Sequence, residues 1–124
     1  MIYKISELSN LTGIPISTLR YYEEIGLLKP ERNSSNYRVY GEKDLRWIEF
    51  IARAKATGMT LSAIKTYSDL REKGESTIIE RIGLLIDQER ILLAQKAEIQ
   101  SHLDFIQHKK LAYYQALEEK NGQI

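Results

Sequence analysis

Between Ser76 and Glu119 the chain runs without a proline and with a single glycine, Gly83, while apolar side chains return at heptad spacing. With Ile78 taken as a d position, the seam reads Ile78, Ile82, Leu85, Glu89, Leu92, Lys96, Ile99, Leu103, Ile106, Lys110, Tyr113 and Leu117. Only Glu89, Lys96 and Lys110 interrupt it, and Ile79, Ile86 and Leu93 widen the stripe. An a/d pattern sustained over several heptads predicts a coiled-coil helix over 76–119, followed by a short tail at 120–124. A lone helix of this length would leave its stripe in water, and no other segment is long enough to cover it. A second copy of the chain is the simplest partner, with Ile78, Ile82, Leu85, Glu89, Leu92, Lys96, Ile99, Leu103 and Ile106 in the contact.

The three seam charges leave the register open. In a two-fold dimer residue i meets j and j meets i. Glu89 can meet Lys96, which puts the crossing near Leu92–Leu93. It can instead meet Lys110, which centres the crossing near Ile99, or all three can reach out to solvent at the seam edge.

With 124 residues there is room for one small domain beside such a helix. No cysteine is present, so disulfides, thiolate metal sites, iron–sulfur ligation and thiol redox sensing are excluded. No cofactor and no bound metal are expected. His102 and His108 are six apart, off a shared helical face and without a third ligand nearby. The amino terminus lacks the apolar core of a secretion signal, and no apolar run reaches the length of a membrane span. A cytoplasmic chain with no membrane partner is expected. No glycine-rich phosphate loop, paired catalytic carboxylates or nucleophile–base arrangement occurs, so an enzyme is not expected. The formal net charge of +1 decides nothing about nucleic acid. What matters is where the cations sit.

Residues 1–40 are short elements broken by Gly13, Pro15, Gly26 and Pro30. Ile5, Leu8 and Leu11 recur at helical spacing, with Ser6 as an N-cap and Gly13 as a stop. Pro15 opens a second helix that ends near Gly26. Two short helices joined by a turn of about three residues form a helix-turn-helix candidate over 5–26. In Glu31–Tyr40 a polar turn cluster lies between β-formers, which predicts a hairpin, or wing, over 31–40. Asn36 tolerates the positive φ that such a turn needs. Arg38 should project to the face opposite Val39, where it reads equally as a phosphate ligand and as a solvated loop cation. Residues 42–57 and 61–72 predict two helices split at Gly58, with Thr60 capping the second and Lys65 one turn inside it. Leu8, Leu11, Leu19, Leu27, Leu45, Ile48 and Ile51 are the expected core, while Glu23-Glu24 and Glu118-Glu119 look like solvated charge.

The string Ile16-Ser17-Thr18-Leu19-Arg20-Tyr21-Tyr22-Glu23-Glu24-Ile25-Gly26-Leu27-Leu28, followed by Asn36-Tyr37-Arg38-Val39-Tyr40, closely resembles the signature of the MerR family of bacterial transcription regulators. Lys55-Ala56-Thr57-Gly58-Met59-Thr60-Leu61 and the long terminal helix match it in order and spacing, so the resemblance covers roughly residues 2–118. It implies a mainly α fold: a winged helix-turn-helix DNA-binding head over 1–74, with second-wing helices at 42–72, then a long dimerising antiparallel coiled-coil helix. The implied function is binding of a pseudo-palindromic promoter site as a homodimer. The implied partners are double-stranded promoter DNA and, through the promoter, RNA polymerase. Members of the family act on promoters whose −35 and −10 elements are too far apart, bending and untwisting the spacer at a cost on the order of several kcal/mol.

Carried onto this chain, Ser17, Thr18, Arg20 and Tyr21 lie in the first two turns of the recognition helix, facing base edges and phosphates. Tyr22 either joins them or packs on the wing. Asn36, Tyr37 and Arg38 would grip backbone from the wing, and Lys55, Thr60 and Lys65 from the second wing. A helix of about 42 residues spans roughly 63 Å, close to the roughly 68 Å of two B-DNA turns, so half-sites two turns apart are expected. The chain departs from the family at Asn36, where glycine is common, and in having no effector module after the coiled coil. The aldehyde- and stress-responsive subgroup it comes near carries a cysteine where this chain has Arg53 and Ala54. A small-molecule effector is therefore not assigned. Tyr67, Phe105, Tyr113 and Tyr114 either line a ligand site or pack in core and interface. Two other readings share parts of this pattern: an excision factor of a mobile element, which the long helix opposes, and a coiled-coil scaffold whose head binds protein. DNA affinity that falls steeply with salt separates the scaffold from the regulator.

Overall fold

The computed structural model describes residues 1–122. The chain divides at Leu85/Ile86 into two compact units. The first holds β1 (Ile2–Tyr3), α1 (Ile5–Thr12), α2 (Ile16–Glu24), β2 (Glu31–Arg32), β3 (Arg38–Gly41), α3 (Glu42–Ala56) and α4 (Leu61–Glu72). A 3₁₀ turn, Glu75–Thr77, leads into α5 (Ile78–Gly122), whose remainder forms the second unit.

Local chemistry sets the breaks in the first unit. Gly13 ends α1 in the left-handed region at φ 74°, its N–H donating to the Ser9 carbonyl. Pro15 precedes the first turn of α2, where its missing N–H costs nothing. Gly26, at φ 76°, turns the chain out of α2. Thr60 caps α4 by accepting from the Ala63 N–H at 3.1 Å.

The start of α1 differs from expectation. The helix begins at Ile5 rather than after Ser6, and the Glu7 carboxylate accepts from the Lys4 N–H at 3.0 Å. A carboxylate in the first turn both satisfies that donor and complements the helix dipole, which a serine hydroxyl does less strongly. Asp44 repeats the device at α3, accepting from the Gly41 N–H at 2.9 Å.

The three short strands form one antiparallel sheet in the order β1-β3-β2. Tyr3 pairs with Tyr40, and Arg32 with Arg38. The hairpin turn is closed by the Asn36 N–H donating to the Asn33 carbonyl, and Asn36 itself sits at φ 62°. Asn33 Oδ1 accepts from the N–H groups of Ser35 and Tyr37 at 3.0 and 3.1 Å. This is the role the sequence assigns to Asn36: a non-glycine residue that accepts a left-handed backbone.

The core of the unit gathers Leu8, Leu19, Tyr22, Leu27, Leu28, Tyr40, Ile48, Ile51 and Ile64, each at most 2% exposed. Each such aliphatic side chain contributes about 1.5–3 kcal/mol of transfer free energy. Leu45 is half-buried against this core. Leu11 is not part of it, being 60% exposed. Leu8 points straight inward and Leu11 lies 60° short of the same line on the helix, so a short, shallowly seated α1 buries one and leaves the other wet. Trp47 is buried, and its indole Nε1 donates to the Leu27 carbonyl at 2.7 Å. Trp47, Phe50 and Tyr67 stack with ring centroids 4.9 to 6.3 Å apart, which assigns Tyr67 to packing in the head.

The junction after α4 is closed by polar contacts. The Thr77 hydroxyl lies 2.6 Å from the Leu70 carbonyl and 2.8 Å from that of Gly74. Arg81 adds donors to Thr77 Oγ1 and the Gly74 carbonyl. These partners satisfy carbonyls that the end of α4 leaves open.

Along α5, Ile78, Ile82 and Leu85 of the first unit are 45–48% exposed. In the second unit Leu92, Ile99, Leu103 and Ile106 are 38–59% exposed. Every apolar seam position is thus wet in the single chain. The tail expected at 120–124 is helical as far as Gly122, and residues 123 and 124 lie outside the described residues. No helix among the described residues is long and apolar enough to cross a membrane.

Candidate nucleic-acid interface

Helix α2 divides cleanly by face. Ser17, Arg20, Tyr21 and Glu24 fall at i, i+3, i+4 and i+7, and all four are exposed. Leu19 and Tyr22 point the other way into the core. Thr18 is half-buried between the two faces.

Tyr22, read from sequence as a candidate DNA contact, is 2% exposed and is corrected to a core residue. It lies three residues after Leu19 on the same inward stripe, and the Lys55 ammonium sits 6.0 Å from its ring centroid. The spacing from Leu19 was the available signal for this.

Asn36, Tyr37 and Arg38 are exposed on the wing, Tyr37 at 70%. Arg38 is not solvated alone. Its Nε lies 3.1 Å from Glu23 Oε2 on α2, and the Tyr40 hydroxyl donates to Glu23 Oε1 at 2.9 Å. The Glu23 side chain is only 11% exposed, so the expectation of a solvated glutamate is corrected: two wing residues hold it. Burial and this hydrogen bond to a carboxylate both push the Tyr40 phenol well above its usual range, because ionising it would set two buried anions side by side.

Between α2 and the wing lies a cleft of about 550 Å³ lined by Lys4, Arg20, Arg32 and Arg38 together with Glu23 and Glu24. Four cations against two acids leave the cleft with two positive charges in excess, the Glu23–Arg38 pair cancelling within it, although the whole chain is nearly neutral. Lys4 and Arg32 belong here and escaped the sequence reading. Lys4 precedes α1 and reaches the wing through the β1–β3 pairing, which no local pattern encodes. Arg32 Nη1 donates to the Asn36 carbonyl at 2.8 Å and so also braces the turn.

The second-wing candidates sit apart from this cleft. Thr60 and Lys55 are exposed. Lys65 Nζ meets Asp69 Oδ1 at 2.5 Å, one helical turn along α4. That contact holds the Asp69 carboxyl below its ordinary range. A β-carbon added at Gly26 would stand 3.6 Å from Lys65 Nζ, so this lysine packs over the exit of α2. Lys29, in the same exit, pairs with Glu72 of α4 at 2.8 Å.

Comparison with known proteins agrees with this architecture. The profile of the MerR HTH family regulatory proteins matches residues 3–70, and that described as MerR, DNA binding, matches residues 45–110. An HTH-type transcriptional regulator of Haemophilus influenzae is 35% identical over 116 residues, which is 93% of this chain and 85% of that one. The HTH-type transcriptional regulator AdhR of Bacillus subtilis is 36% identical over 90 residues, 72% of this chain and 64% of AdhR. The crystal structure of HiNmlR, a MerR family regulator lacking the sensor domain and bound to promoter DNA, superposes with a TM-score of 0.72. It is 35% identical, and the match covers 93% of this chain and 87% of that one. A head that presents one helix face and a wing, followed by a long helix, is thus matched in sequence and in structure, and the chain belongs to the MerR family of helix-turn-helix transcription regulators.

Proposed function

We propose that this chain is a cytoplasmic, non-enzymatic promoter-binding regulator that grips a pseudo-palindromic site as a homodimer. In this reading Ser17, Arg20 and Tyr21, with Thr18 beside them, meet base edges and phosphates in the major groove. Asn36, Tyr37 and Arg38 hold the flanking backbone from the wing, and Lys55, Thr60 and Lys65 hold it from the second wing. Dimerisation runs through Ile78, Ile82, Leu85, Leu92, Ile99, Leu103 and Ile106, with Glu89 and Lys96 in the same seam. Residues 1–74 then act as the DNA-binding head and 76–119 as the dimerisation helix.

One observation carries the reading. The exposed face of α2 and the wing share a cation-rich cleft in a chain whose total charge is only +1. Regulation by distortion of the promoter spacer follows from family membership, with RNA polymerase engaged through the DNA. Hydroxyl-radical footprinting of the duplex upstream of the chain's own gene tests it. Two protected patches about two helical turns apart on one face of the duplex are expected. Patches one turn apart, or none under low salt, contradict it.

A further inference from the structure

An acid that projects into a phosphate-binding cleft weakens DNA binding through simple repulsion. Glu23 nevertheless occupies this cleft, and its two carboxylate oxygens face separate residues of the wing, one through a hydrogen bond and one through an ion pair. Oε1 accepts from the Tyr40 hydroxyl at 2.9 Å, and Oε2 faces Arg38 Nε at 3.1 Å. Tyr40 is 2% exposed and fixed in the sheet by pairing with Tyr3, so it is a rigid anchor. The Arg38 side chain is half exposed, and it is the Nε edge of its guanidinium that meets Glu23. A guanidinium can give one edge to a carboxylate and another to a phosphate, which a lysine ammonium does less directionally.

We infer that Glu23 is a specificity-determining positioning residue: it aims the Arg38 guanidinium at one phosphate and fixes the wing's angle to α2. The phosphate that Arg38 reaches is then in register with the bases that Arg20 and Ser17 reach on the same helix. A duplex whose backbone places that phosphate elsewhere meets a carboxylate instead of a free cation. The Glu23 charge thereby lowers affinity for duplexes in general and preserves it for the one geometry that satisfies both α2 and the wing. This rests on the DNA-binding reading above.

The test uses the full-length chain, a duplex selected by the wild type from a random-sequence pool, and a scrambled duplex of equal length. Glu23→Gln keeps an acceptor for Tyr40 but removes the charge that orients Arg38. On the selected duplex its affinity should fall about tenfold, with the log–log salt slope shallower by about one phosphate contact. On the scrambled duplex its affinity should rise about threefold, because one anion has left the cleft. In an Arg38→Ala background, Glu23→Gln should no longer lower affinity for the selected duplex, since there is nothing left to aim. Thermal unfolding of each variant reports whether the head is folded. Equal losses on both duplexes that track a lower melting temperature, or an additive loss in the Arg38→Ala background, would show a merely structural glutamate and overturn the inference. An unchanged ratio between the two duplexes overturns it as well, with the wild type's own binding intact. Failure of the wild type to select any duplex would instead count against the DNA-binding reading.

Discussion

The Trp47 indole donates to the Leu27 carbonyl oxygen at 2.7 Å, tying the middle of α3 to the turn that leaves α2. Leu27 is 2% exposed, so no water stands ready to replace the donor. Trp47→Phe keeps the stack on Phe50 but leaves a buried carbonyl unpaired, and it should cost about 1–3 kcal/mol in urea unfolding. A loss below about 0.5 kcal/mol would mean that the bond does not form.

Asn36 holds the wing turn at φ 62° without being a glycine. Asn36→Gly should leave stability and DNA affinity nearly unchanged. Asn36→Val should cost about 1–2 kcal/mol and open the hairpin locally, since a β-branched residue resists that backbone. Amide hydrogen exchange at Asn33, whose N–H donates to the Tyr37 carbonyl, and at Val39 reads the opening, and equal protection in both variants would contradict the assignment.

Capping at α4 rests on a single side chain. Thr60→Ala removes the acceptor for the Ala63 N–H and should destabilise the head by about 1 kcal/mol, while Thr60→Ser should restore most of it. The same pair of variants separates capping from DNA contact. If the hydroxyl also serves the duplex, Ala loses more affinity than its fall in folded fraction explains.

Tyr40 makes stability depend on alkali. Its folded pKa is raised, so its contribution is fully present below the unfolded value near 10 and is lost as pH rises through the folded one. Wild type should exceed Tyr40→Phe by about 0.5–1.5 kcal/mol at pH 8. The advantage should shrink above pH 10. An advantage that grows with pH would contradict the carboxylate contact.

Much of this was readable from local chemistry. Gly13, Pro15 and Thr60 each mark a helix boundary by a property of that residue alone, and Asn36 marks its turn in the same way. Heptad spacing likewise announces α5, because a stripe of that length needs no knowledge of the rest of the fold. What escaped depends on partners distant in the chain. Glu23 looks solvated until Arg38 and Tyr40 fold back onto it, and Lys4 joins the cleft only because Ile2 and Tyr3 pair with β3. A two-residue strand has no periodicity to detect. Leu11 failed for the opposite reason: a pattern was present, but a short helix seated on one side did not use all of it.

The seam charges test register. Glu89→Lys or Lys96→Glu alone should weaken the dimer if the two chains cross near Leu92–Leu93, and the double exchange should restore it. Sedimentation equilibrium gives the comparison. No rescue in the double variant rules out that crossing.

Two identical heads joined through α5 should occupy one duplex together, and stoichiometry on DNA reads this most directly. Sedimentation velocity of the wild type with the selected duplex should show two chains per duplex, with a dimer already present in the free protein at micromolar concentration. A monomer that binds one chain per duplex would contradict it.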